Sequence, residues 1–410
     1  MIDAKLILRD KAYVKRELAA KGFDQKYIDA LEMFMLRAKA EKNSLNELCE
    51  KRNKEQRDPA VSTDEKRKLR ERISNARKDL RSLEYCLQSA LYKLPNFPDP
   101  EAPVGSGGAD NVIVYQSKDH YTCQVENPEP HWDVAARLGI LDTGLAGEIS
   151  GSGFALFKGK GAKLQRALVN YGLSLHEDKY FEILPPHLVT TEALTQTGHL
   201  PKFEDDLYKC ENDDLWLIPT AEVPLTAMLA GTVFPKGSLP KRYMGYTLSF
   251  RREAGASGRE TRGLQRVHEF HKVELLKITE PSMVQAELDD LLEDCLRIIK
   301  DLKLRYRIVD LCTGDMGDKY ARCFDIEVFS PGIGEWLEVS SAGHFSDYQA
   351  RRADIKYVDE NGKKRLAYTL NGSGIATARV WLSLIETYQQ PDGSVLVPDV
   401  LRPFMGCDRI

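Results

Sequence analysis

The sequence predicts an α+β protein, with a largely antiparallel β-sheet and helices in one domain and an antiparallel pair of long helices in another. Three observations lead to this fold class. Apolar residues recur at helical spacing through two long runs near the N-terminus, and a segment rich in proline and glycine follows. The remaining chain alternates strand-like and helix-like segments without internal repeats. A length of 410 residues is enough for two such domains.

The N-terminal runs predict two helices packed along one seam. Apolar residues advance in steps of three and four, with Lys42 interrupting the first run, and Asp58-Pro59 ends that helix. Ser62 and Glu65 have the spacing of a capping box, which starts the second helix. Heptad spacing on both sides of a turn predicts an antiparallel coiled coil over about residues 27–91. The seam residues are Ile28, Leu31, Met35, Ala38, Leu45, Cys49, Leu69, Ile73, Ala76, Leu80, Leu83, Leu87 and Ala90.

Charge is distributed unevenly along the chain. Residues 1–95 hold 23 lysines and arginines against 16 acidic residues, whereas the rest of the chain holds 35 against 46. Basic side chains are frequent between Lys51 and Arg81, around the tip of the predicted hairpin, where phosphates could bind. The pattern indicates either an anionic partner for the basic domain or a solvated helix pair that happens to be basic.

The segment 94–111 marks the boundary between the domains, because its prolines and glycines permit neither helix nor strand. We therefore expect an N-terminal helical domain over residues 1–105 and a second domain over 106–410. Helical or strand patterns in the second domain cover 162–178 and 281–302 (helices) and 179–186, 243–250 and 266–276 (strands).

Composition also limits the function classes. No apolar run approaches the roughly 20 residues of a membrane-spanning helix, so no membrane partner is expected. The eight cysteines are scattered and form no CxxC pair, which argues against a zinc site or a disulfide framework. Reduced thiols in the cytoplasm are the simplest interpretation.

The segment 247–276 is the richest in functional residue types. Its two predicted strands flank a loop that contains Gly255, Gly258 and Gly263. Strand alternation places Arg251 and Glu253 on one face of the first strand. The same alternation groups, on one face of the second strand, Arg266, His268, Phe270, Lys272 and Glu274.

These residue types suit a nucleotide. Guanidinium groups bind phosphates in a bidentate manner, an aromatic face can stack on a purine, and a carboxylate can accept from an amino group. A surface hairpin with solvated charges is the alternative.

The segment 370–390 adds a second signal for an anion-binding site. Small residues lead into an amphipathic helix with Arg379 in its first turns, and helix N-termini favour anions.

Three other patterns are weaker. The segment 151–163 resembles a phosphate loop but lacks GxxxxGK[ST]. His268 and His271 face opposite sides of a strand, so they do not share a metal. The stretch 337–345 contains serine, histidine and glutamate, as a hydrolase would need, but Ser341 and His344 also face opposite ways and no strand-to-helix elbow surrounds the serine.

At these motifs the sequence resembles the class II aminoacyl-tRNA synthetases, and among them the seryl-tRNA synthetases of bacterial type. The three class motifs are matched by "YFEILPP", "FRREAGASGRETRGLQRVHEF" and "NGSGIATAR", and "PTAEVPL" matches the seryl-specific element. Further matches are "LPNFP", "GHLPKFEDDLYK", "CTGDMG", "DYQARR" and "QQPDGSVLVPDVLRPFMG". The resemblance covers nearly the whole chain. It implies a class II catalytic domain that carries an N-terminal coiled-coil arm.

The resemblance implies a serine–tRNA ligase, which activates L-serine with ATP and transfers it to the 3′ end of serine tRNA. The implied serine-binding residues are Thr220, Glu222, Arg251, Glu274, Asn371 and Ser373. The implied ATP-binding residues are Arg251, Arg252, Glu253, Arg266, Val267, Phe270, Glu338, Val339, Ser340, Ser341 and Arg379. Of these, the implied catalytic residues are Arg251, Glu338, Ser341 and Arg379.

The resemblance further implies Mg²⁺ on Glu338 and Ser341, a homodimer, and binding of the long variable arm of the tRNA by the helical hairpin. One departure lies beside these ligands. Where the family usually has Ser-Ser-Cys-Ser-Asn, this chain has Ser340-Ser341-Ala342-Gly343-His344. The change raises an alternative, a synthetase paralogue with a specialised role in secondary metabolism or inhibitor resistance. A non-catalytic RNA-binding protein is a third possibility, but it predicts the loss of arginines that are present.

Overall fold

The computed structural model describes residues 1–56, 58–253 and 262–410. Gly255 and Gly258, which the sequence places in a loop, lie outside the described residues. In the described ranges the α-helices are α1 Lys5–Arg9, α2 Lys11–Ala19, α3 Gln25–Glu55, α4 Thr63–Tyr92, α5 His131–Arg137, α6 Thr143–Ser150, α7 Lys160–Ser174, α8 Thr191–Thr197, α9 Glu222–Ala227, α10 Val284–Asp301, α11 Tyr348–Ala353, α12 Thr377–Thr387 and α13 Arg402–Met405.

The strands of the same ranges are mostly short outside one large sheet. They are β1 Val112–Gln116, β2 Leu141–Asp142, β3 Leu156–Phe157, β4 Phe181–Glu182, β5 Leu188–Val189, β6 Trp216–Leu217, β7 Val233–Phe234, β8 Lys241–Phe250, β9 Glu269–Thr279, β10 Tyr306–Asp310, β11 Arg322–Ser330, β12 Glu335–His344, β13 Lys356–Val358, β14 Lys364–Leu366 and β15 Tyr368–Ala376.

The chain forms two compact units, Met1–Phe97 and Pro98–Ile410. The first unit contains the predicted antiparallel helix pair. The Tyr27 hydroxyl near the start of α3 donates to the Ala90 carbonyl near the end of α4 (3.1 Å), and Ser62 forms the predicted capping box with Glu65. Seam residues buried in these helices are Ile28, Leu31, Ala38, Leu69, Ile73 and Leu80.

The second unit is built on an eight-stranded sheet with the order β1-β10-β11-β12-β15-β9-β8-β4. Every neighbouring pair is antiparallel except β4–β8. Helices α7, α10 and α12 pack against the sheet. Apolar residues of these helices and of the central strands form one large core, which includes the fully buried Trp381. The predicted α+β fold with a largely antiparallel sheet is confirmed.

Element ends differ from the predicted ones where tertiary contacts decide them. Strand β9 begins at Glu269, so Arg266 and His268 precede it, whereas the alternation pattern extended the strand to residue 266. The predicted strand 179–186 is only two residues long, because it pairs with β8 at Phe181 and Glu182 alone. Helix α10 begins at Val284, after a 3₁₀ turn at Pro281–Met283. None of the helices in the described ranges has the length and apolar character to cross a lipid bilayer.

Candidate active site

A cavity of about 500 Å³, here called the main cavity, opens over one face of the large sheet. A second cavity of about 130 Å³, the side cavity, shares with it Arg251, Glu253, Arg266, Lys272, Glu338, Ser341 and Arg379. The other residues that line the main cavity are His199, Phe203, Asp206, Leu207, Pro219, Thr220, Glu222, Lys319, Tyr320 and Asn371. Most of the predicted site residues therefore lie together around one space.

The ends of strands and helices bring these side chains to the cavity. Arg251 follows directly after β8. Phe270 and Lys272 are two residues apart in β9, so both point to the same face of the strand. Arg379 is the third residue of α12, as the sequence predicts. Glu253 has a positive φ of 49°, which turns its side chain towards Arg266 although neither residue lies in a strand.

A β-bulge explains how Glu338 and Ser341 share one wall. They are three residues apart, so regular alternation would put them on opposite faces of β12. The register with β11 shifts between Ile326 and Glu327, which pair with Ser340 and Glu338 and leave Val339 unpaired. A residue inserted in this way changes the side to which the following side chains point. Ser340, between Glu338 and Ser341, donates to the Ser373 carbonyl (2.7 Å) and lines only the side cavity.

Three guanidinium groups give the cavity a positive wall. Arg379 donates through Nε to the Gln265 carbonyl (3.0 Å) and through NH1 to the Glu338 carbonyl (2.7 Å). Arg266 forms an ion pair with Glu253. The Arg251 guanidinium lies 5.2 Å from the centre of the Phe270 ring. Such a wall, held by carbonyls and an aromatic ring, matches a polyanion such as a triphosphate.

Two buried carboxylates lie at one end of the main cavity, with Glu222 in its lining and Glu274 behind Thr220 and Asn371. Glu222 and Glu274 both accept from the Asn371 amide nitrogen, at 2.8 and 3.0 Å. Thr220 donates to Glu274 (2.5 Å), and the Lys272 ammonium forms an ion pair with it. Lys319 donates to both oxygens of Glu222, at 2.7 and 2.6 Å.

Burial and charge act differently on these two carboxyls. Burial, with the nearby charge of Glu222, raises the pKa of Glu274 above its ordinary value. Burial opposes ionisation of Glu222 as well, but the Lys319 ammonium holds the pKa of Glu222 below its ordinary value. Burial together with Lys319 lowers the pKa of His199 to about 3, so its imidazole is neutral. The site thus keeps Glu222 ionised and balances its charge internally.

Two oxygen donors suited to a hard cation, Glu338 and Ser341, line both cavities. Glu338 is half exposed, Ser341 lines the same wall, and Asp325 pairs with Ser341 across β11 and β12. Burial and the charge of Glu338 raise the pKa of Asp325 well above its ordinary value. A divalent cation prefers such oxygen ligands, so the donor set fits Mg²⁺.

Two predicted residues stand apart from the cavity lining. Arg252 is exposed and lines neither cavity, and its backbone nitrogen donates to the Asp206 carbonyl (2.9 Å). Glu274 is fully buried behind Thr220 and Asn371. His268, which alternation grouped with the functional face, packs against Phe154 with the ring centres 5.2 Å apart.

Residue-type patterns did not identify several side chains of the main cavity, among them Lys319, Tyr320, His199 and Phe203. A signal existed for three of them. His199 and Phe203 lie inside the matched stretch "GHLPKFEDDLYK", and Lys319 follows "CTGDMG" by two positions. The contacts of Lys319 with Glu222 and with His199 span 97 and 120 positions, so no local pattern reveals them.

The altered stretch after Ser341 points away from the main cavity. His344 is buried, and its Nε2 lies 3.3 Å from Asp99. Gly343 allows Tyr320 to lie against the strand, because a Cβ there would come within 2.6 Å of the ring. The partners of His344 are thus Asp99 and the Ser346 amide, which leaves the hydrolase hypothesis without support.

Comparison with known proteins agrees with this fold and site. A family model of the tRNA synthetase class II core domain (G, H, P, S and T) matches residues 203–388. The fold and the site thus define a class II aminoacyl-tRNA synthetase. The serine–tRNA ligase of Geobacter sulfurreducens is 42% identical to this chain, over 99% of each sequence. That of Dehalococcoides mccartyi is 40% identical, over 100% of each.

A solved structure is similar over the same extent. The seryl-tRNA synthetase from Pyrococcus horikoshii complexed with ATP superposes with a TM-score of 0.91 at 31% identity, and the match covers 100% of this chain and 99% of that one. This chain belongs to the serine–tRNA ligase family. None of these matches favours the specialised paralogue over a seryl-tRNA synthetase.

Proposed function

We propose that this chain activates L-serine with ATP to form seryl-adenylate and then transfers the seryl group to the 3′ end of serine tRNA, in the cytoplasm. One observation carries the proposal. A single cavity combines a wall of three guanidinium groups with the buried carboxylate Glu222, which shares the Asn371 amide with a second carboxylate, Glu274, directly behind the lining. The first suits a triphosphate, and the second suits a small zwitterion with a hydroxyl group.

The activation step needs alignment and charge compensation, with no protein nucleophile. A carboxylate oxygen of serine attacks the α-phosphorus of ATP, the bond from that phosphorus to the bridging oxygen breaks, and pyrophosphate leaves. Arg251 binds the α-phosphate and the serine carboxylate, which brings the two reacting groups together. Arg266 and Arg379 bind the γ-phosphate of a bent ATP and stabilise the charge that develops on pyrophosphate.

The side cavity receives the adenine. Phe270 stacks on the base, Glu253 accepts from its amino group, and Val267 and Val339 line the space beside it. Ser340 supports this wall through its hydrogen bond to the Ser373 carbonyl. Arg252 lines neither cavity, so its role here is one of support, through the hydrogen bond that its backbone nitrogen donates to the Asp206 carbonyl.

Serine binds at the end of the main cavity that contains Glu222. Thr220 and Glu222 bind the amino group, and Glu274, Asn371 and Ser373 bind the hydroxyl. Glu274 is buried, so a substrate without the hydroxyl leaves it without that partner. A site of this kind discriminates by a factor on the order of 10⁴ against an analogue that lacks the hydroxyl, such as alanine.

Glu338 and Ser341 would hold Mg²⁺, with Asp325 beside them. When bound, the cation supplies positive charge to the phosphate oxygens and favours departure of pyrophosphate. Glu338 also accepts from Arg379, at 3.4 Å from NH1, so it orients the guanidinium that faces the same phosphates.

The helical unit supplies a basic surface for the tRNA. An open groove on α3 and α4 is lined mainly by basic side chains: Arg52, Arg70, Arg77, Lys78 and Arg81. Such a groove binds phosphates by charge, without reading bases. The long variable arm of serine tRNA is the partner that the resemblance implies for it.

A homodimer completes the proposal. Both edges of the large sheet expose apolar side chains in the single chain, which is unusual for a soluble surface. All five residues of β1 are exposed, and at the other edge Phe181 is 68% exposed and Leu184 79%. Phe181 and Leu184 belong to the stretch that resembles the first class motif.

The test is pyrophosphate exchange with each amino acid in turn, followed by charging of serine tRNA with and without its long variable arm. We expect exchange with serine alone, and charging that depends on the arm. Absent or serine-independent exchange would exclude the proposal. Exchange without charging would instead indicate an enzyme that makes only the adenylate.

A further inference from the structure

The Lys319 side chain ends inside the main cavity, in a site built for a primary ammonium group. Its Nζ donates to both oxygens of Glu222, at 2.7 and 2.6 Å, and lies 3.3 Å from Nε2 of His199. His199 is neutral, because burial and Lys319 lower its pKa, and it can accept through Nε2. The rings of Phe345 and Tyr320 lie 5.3 and 5.5 Å away. Three acceptors and two aromatic rings thus surround one ammonium.

These contacts saturate the Glu222 carboxylate. Besides Lys319, the Gln349 amide donates to Oε1 (2.6 Å) and the Asn371 amide donates to Oε2 (2.8 Å). An ionised carboxylate has about four acceptor positions, and within the described ranges these donors fill all of them. Glu222 therefore has no acceptor position left for a further ammonium.

Glu274, the neighbouring carboxylate, differs in this respect. Its Oε2 accepts from Thr220 and Lys272, whereas Oε1 accepts a single bond, from Asn371, within the described part of the chain. Oε1 can accept one further hydrogen bond, which fits a substrate hydroxyl. Glu274 thus keeps one acceptor position for a hydroxyl, whereas within the described residues every acceptor position of Glu222, the proposed ligand of the amino group, is filled.

We infer that Lys319 is an internal competitor for the amino-group site: its ammonium occupies the place on Glu222 that the α-ammonium of serine must take, and it leaves when serine binds. The inference rests on the proposed function, in which Glu222 binds that amino group. Lys319 affects specificity because only a ligand with an ammonium group has to displace it from Glu222. Binding of serine exchanges one ammonium for another on the same carboxylate.

Such an exchange has a measurable consequence. The apparent affinity of a ligand falls by the fraction of molecules in the binding-competent state, here those in which Lys319 has left Glu222. A lysine chain has four flexible torsions, so it can withdraw without a change of the backbone. A ligand without an ammonium group leaves Lys319 in place and escapes this loss of affinity.

The first experiment compares the full-length wild type with Lys319→Met, which keeps an unbranched chain but removes the charge. We expect the KM for serine in pyrophosphate exchange to fall roughly tenfold or more, because serine no longer has to displace an ammonium group from Glu222. An unchanged or raised KM would overturn the inference, because it would place Lys319 outside the amino-group site or make it a supporting residue. Thermal unfolding of both proteins checks that the variant is folded.

The second experiment measures binding alone, by calorimetry, with L-serine and with L-glycerate, which has a hydroxyl in place of the amino group. In the wild type we expect the two dissociation constants to lie within about tenfold of each other, because only serine must displace Lys319. In Lys319→Met the preference for serine should increase at least tenfold. A wild type that already prefers serine by far more, or a preference that the substitution does not change, contradicts the inference.

A third measurement uses Lys319→Ala, whose short side chain leaves the ammonium site accessible. n-Propylammonium should compete with serine in this variant and should not compete in the wild type. Competition in both or in neither would overturn the inference. Because calorimetry and competition report binding, a wild type without serine-dependent exchange would refute the proposed function, while a preference unaffected by Lys319→Met would refute this inference alone.

Discussion

Arg251 is the residue with the most functions in the proposed mechanism. It follows β8 directly, its Nε donates to the Pro219 carbonyl (3.4 Å), and its guanidinium stacks on Phe270. These contacts hold it between the two cavities, where the serine carboxylate and the α-phosphate must meet. Arg251 is thus in direct contact with a residue of each cavity, Pro219 of the main cavity and Phe270 of the side cavity.

Replacement of Arg251 by alanine should therefore lower serine-dependent pyrophosphate exchange by a factor on the order of 100 or more, since it removes both the alignment and the charge compensation. Exchange kinetics at saturating ATP measure the effect. Arg365→Ala is the matched control, because Arg365 is exposed, pairs with Asp359 and lines neither cavity. A decrease of only a fewfold in Arg251→Ala would contradict the role.

Residue types could be predicted from the sequence more readily than their contacts. Alternation brought Phe270 and Lys272 to one face correctly, because β9 is a regular strand there. The Lys319–Glu222 ion pair spans 97 positions, so no local spacing indicates it. The positive φ of Glu253 could not be predicted from the sequence either, because glutamate seldom adopts that backbone conformation.

At the scale of single elements, strong local signals predicted the helices and weak ones misplaced the strand ends. The capping box at Ser62 and the heptads give α3 and α4 nearly to the residue. The bulge at Val339 has no such signal, because it arises from the pairing of β12 with β11. This bulge places Glu338 and Ser341 on one wall, which alternation alone excludes.

The groove on the helix pair makes a prediction about salt dependence. Arg70, Arg77 and Arg81 project from α4, and none has a carboxylate partner among the described residues. Their combined replacement by alanine should raise the KM for serine tRNA. It should also lower the slope of log affinity against log salt by about 0.7–0.9 for each phosphate that the variant no longer neutralises. Nitrocellulose-filter or fluorescence binding over a salt series measures the slope.

Lys68→Ala is the matched control on the same helix, since Lys68 already pairs with Asp64 (2.8 Å). Its replacement should leave the slope within error of the wild type. Exchange without tRNA reports the condition of the active site in both variants. If the triple replacement leaves the salt slope unchanged, the tRNA phosphates bind elsewhere.

His176 makes the stability of the second unit depend on pH. It lies in the turn after α7, fully buried beside Tyr180, and neither ring nitrogen has a hydrogen-bond partner within the described residues. Burial is the largest of the effects that lower its pKa to about 4, and Arg297 and Lys179 contribute while Asp294 opposes. The folded chain therefore holds this ring neutral.

Between pH 6.5 and about 4 the unfolded chain binds this proton and the folded chain does not, so stability falls as the pH falls through that window. The contribution amounts to roughly 3 kcal/mol at the acid end. His176→Leu should remove it. Urea unfolding at pH 8 and at pH 5 should give a smaller difference for the variant than for the wild type, and equal differences would show that His176 is protonated in the fold.

At the scale of the whole molecule, both edges of the large sheet expose apolar side chains. A sheet edge with exposed apolar side chains invites pairing with another chain, and monomers usually protect it with charge or a covering segment. Here β1 exposes Val112, Ile113, Val114 and Tyr115, and β4 exposes Phe181 at the opposite edge. In the proposed homodimer, a second copy of the chain would bury such surfaces by symmetry.

Phe181→Lys should therefore shift the protein from dimer to monomer, because a lysine within an apolar interface costs desolvation without a partner. Sedimentation equilibrium would give a mass near twice 46.3 kDa for the wild type and near 46.3 kDa for the variant. Met283→Lys is the control, since Met283 is also exposed but lies in the turn before α10. A wild type that sediments as a monomer would contradict the proposed homodimer. A variant that stays dimeric would remove this edge from the interface, and the exposed face of β1 would then be the next candidate to test.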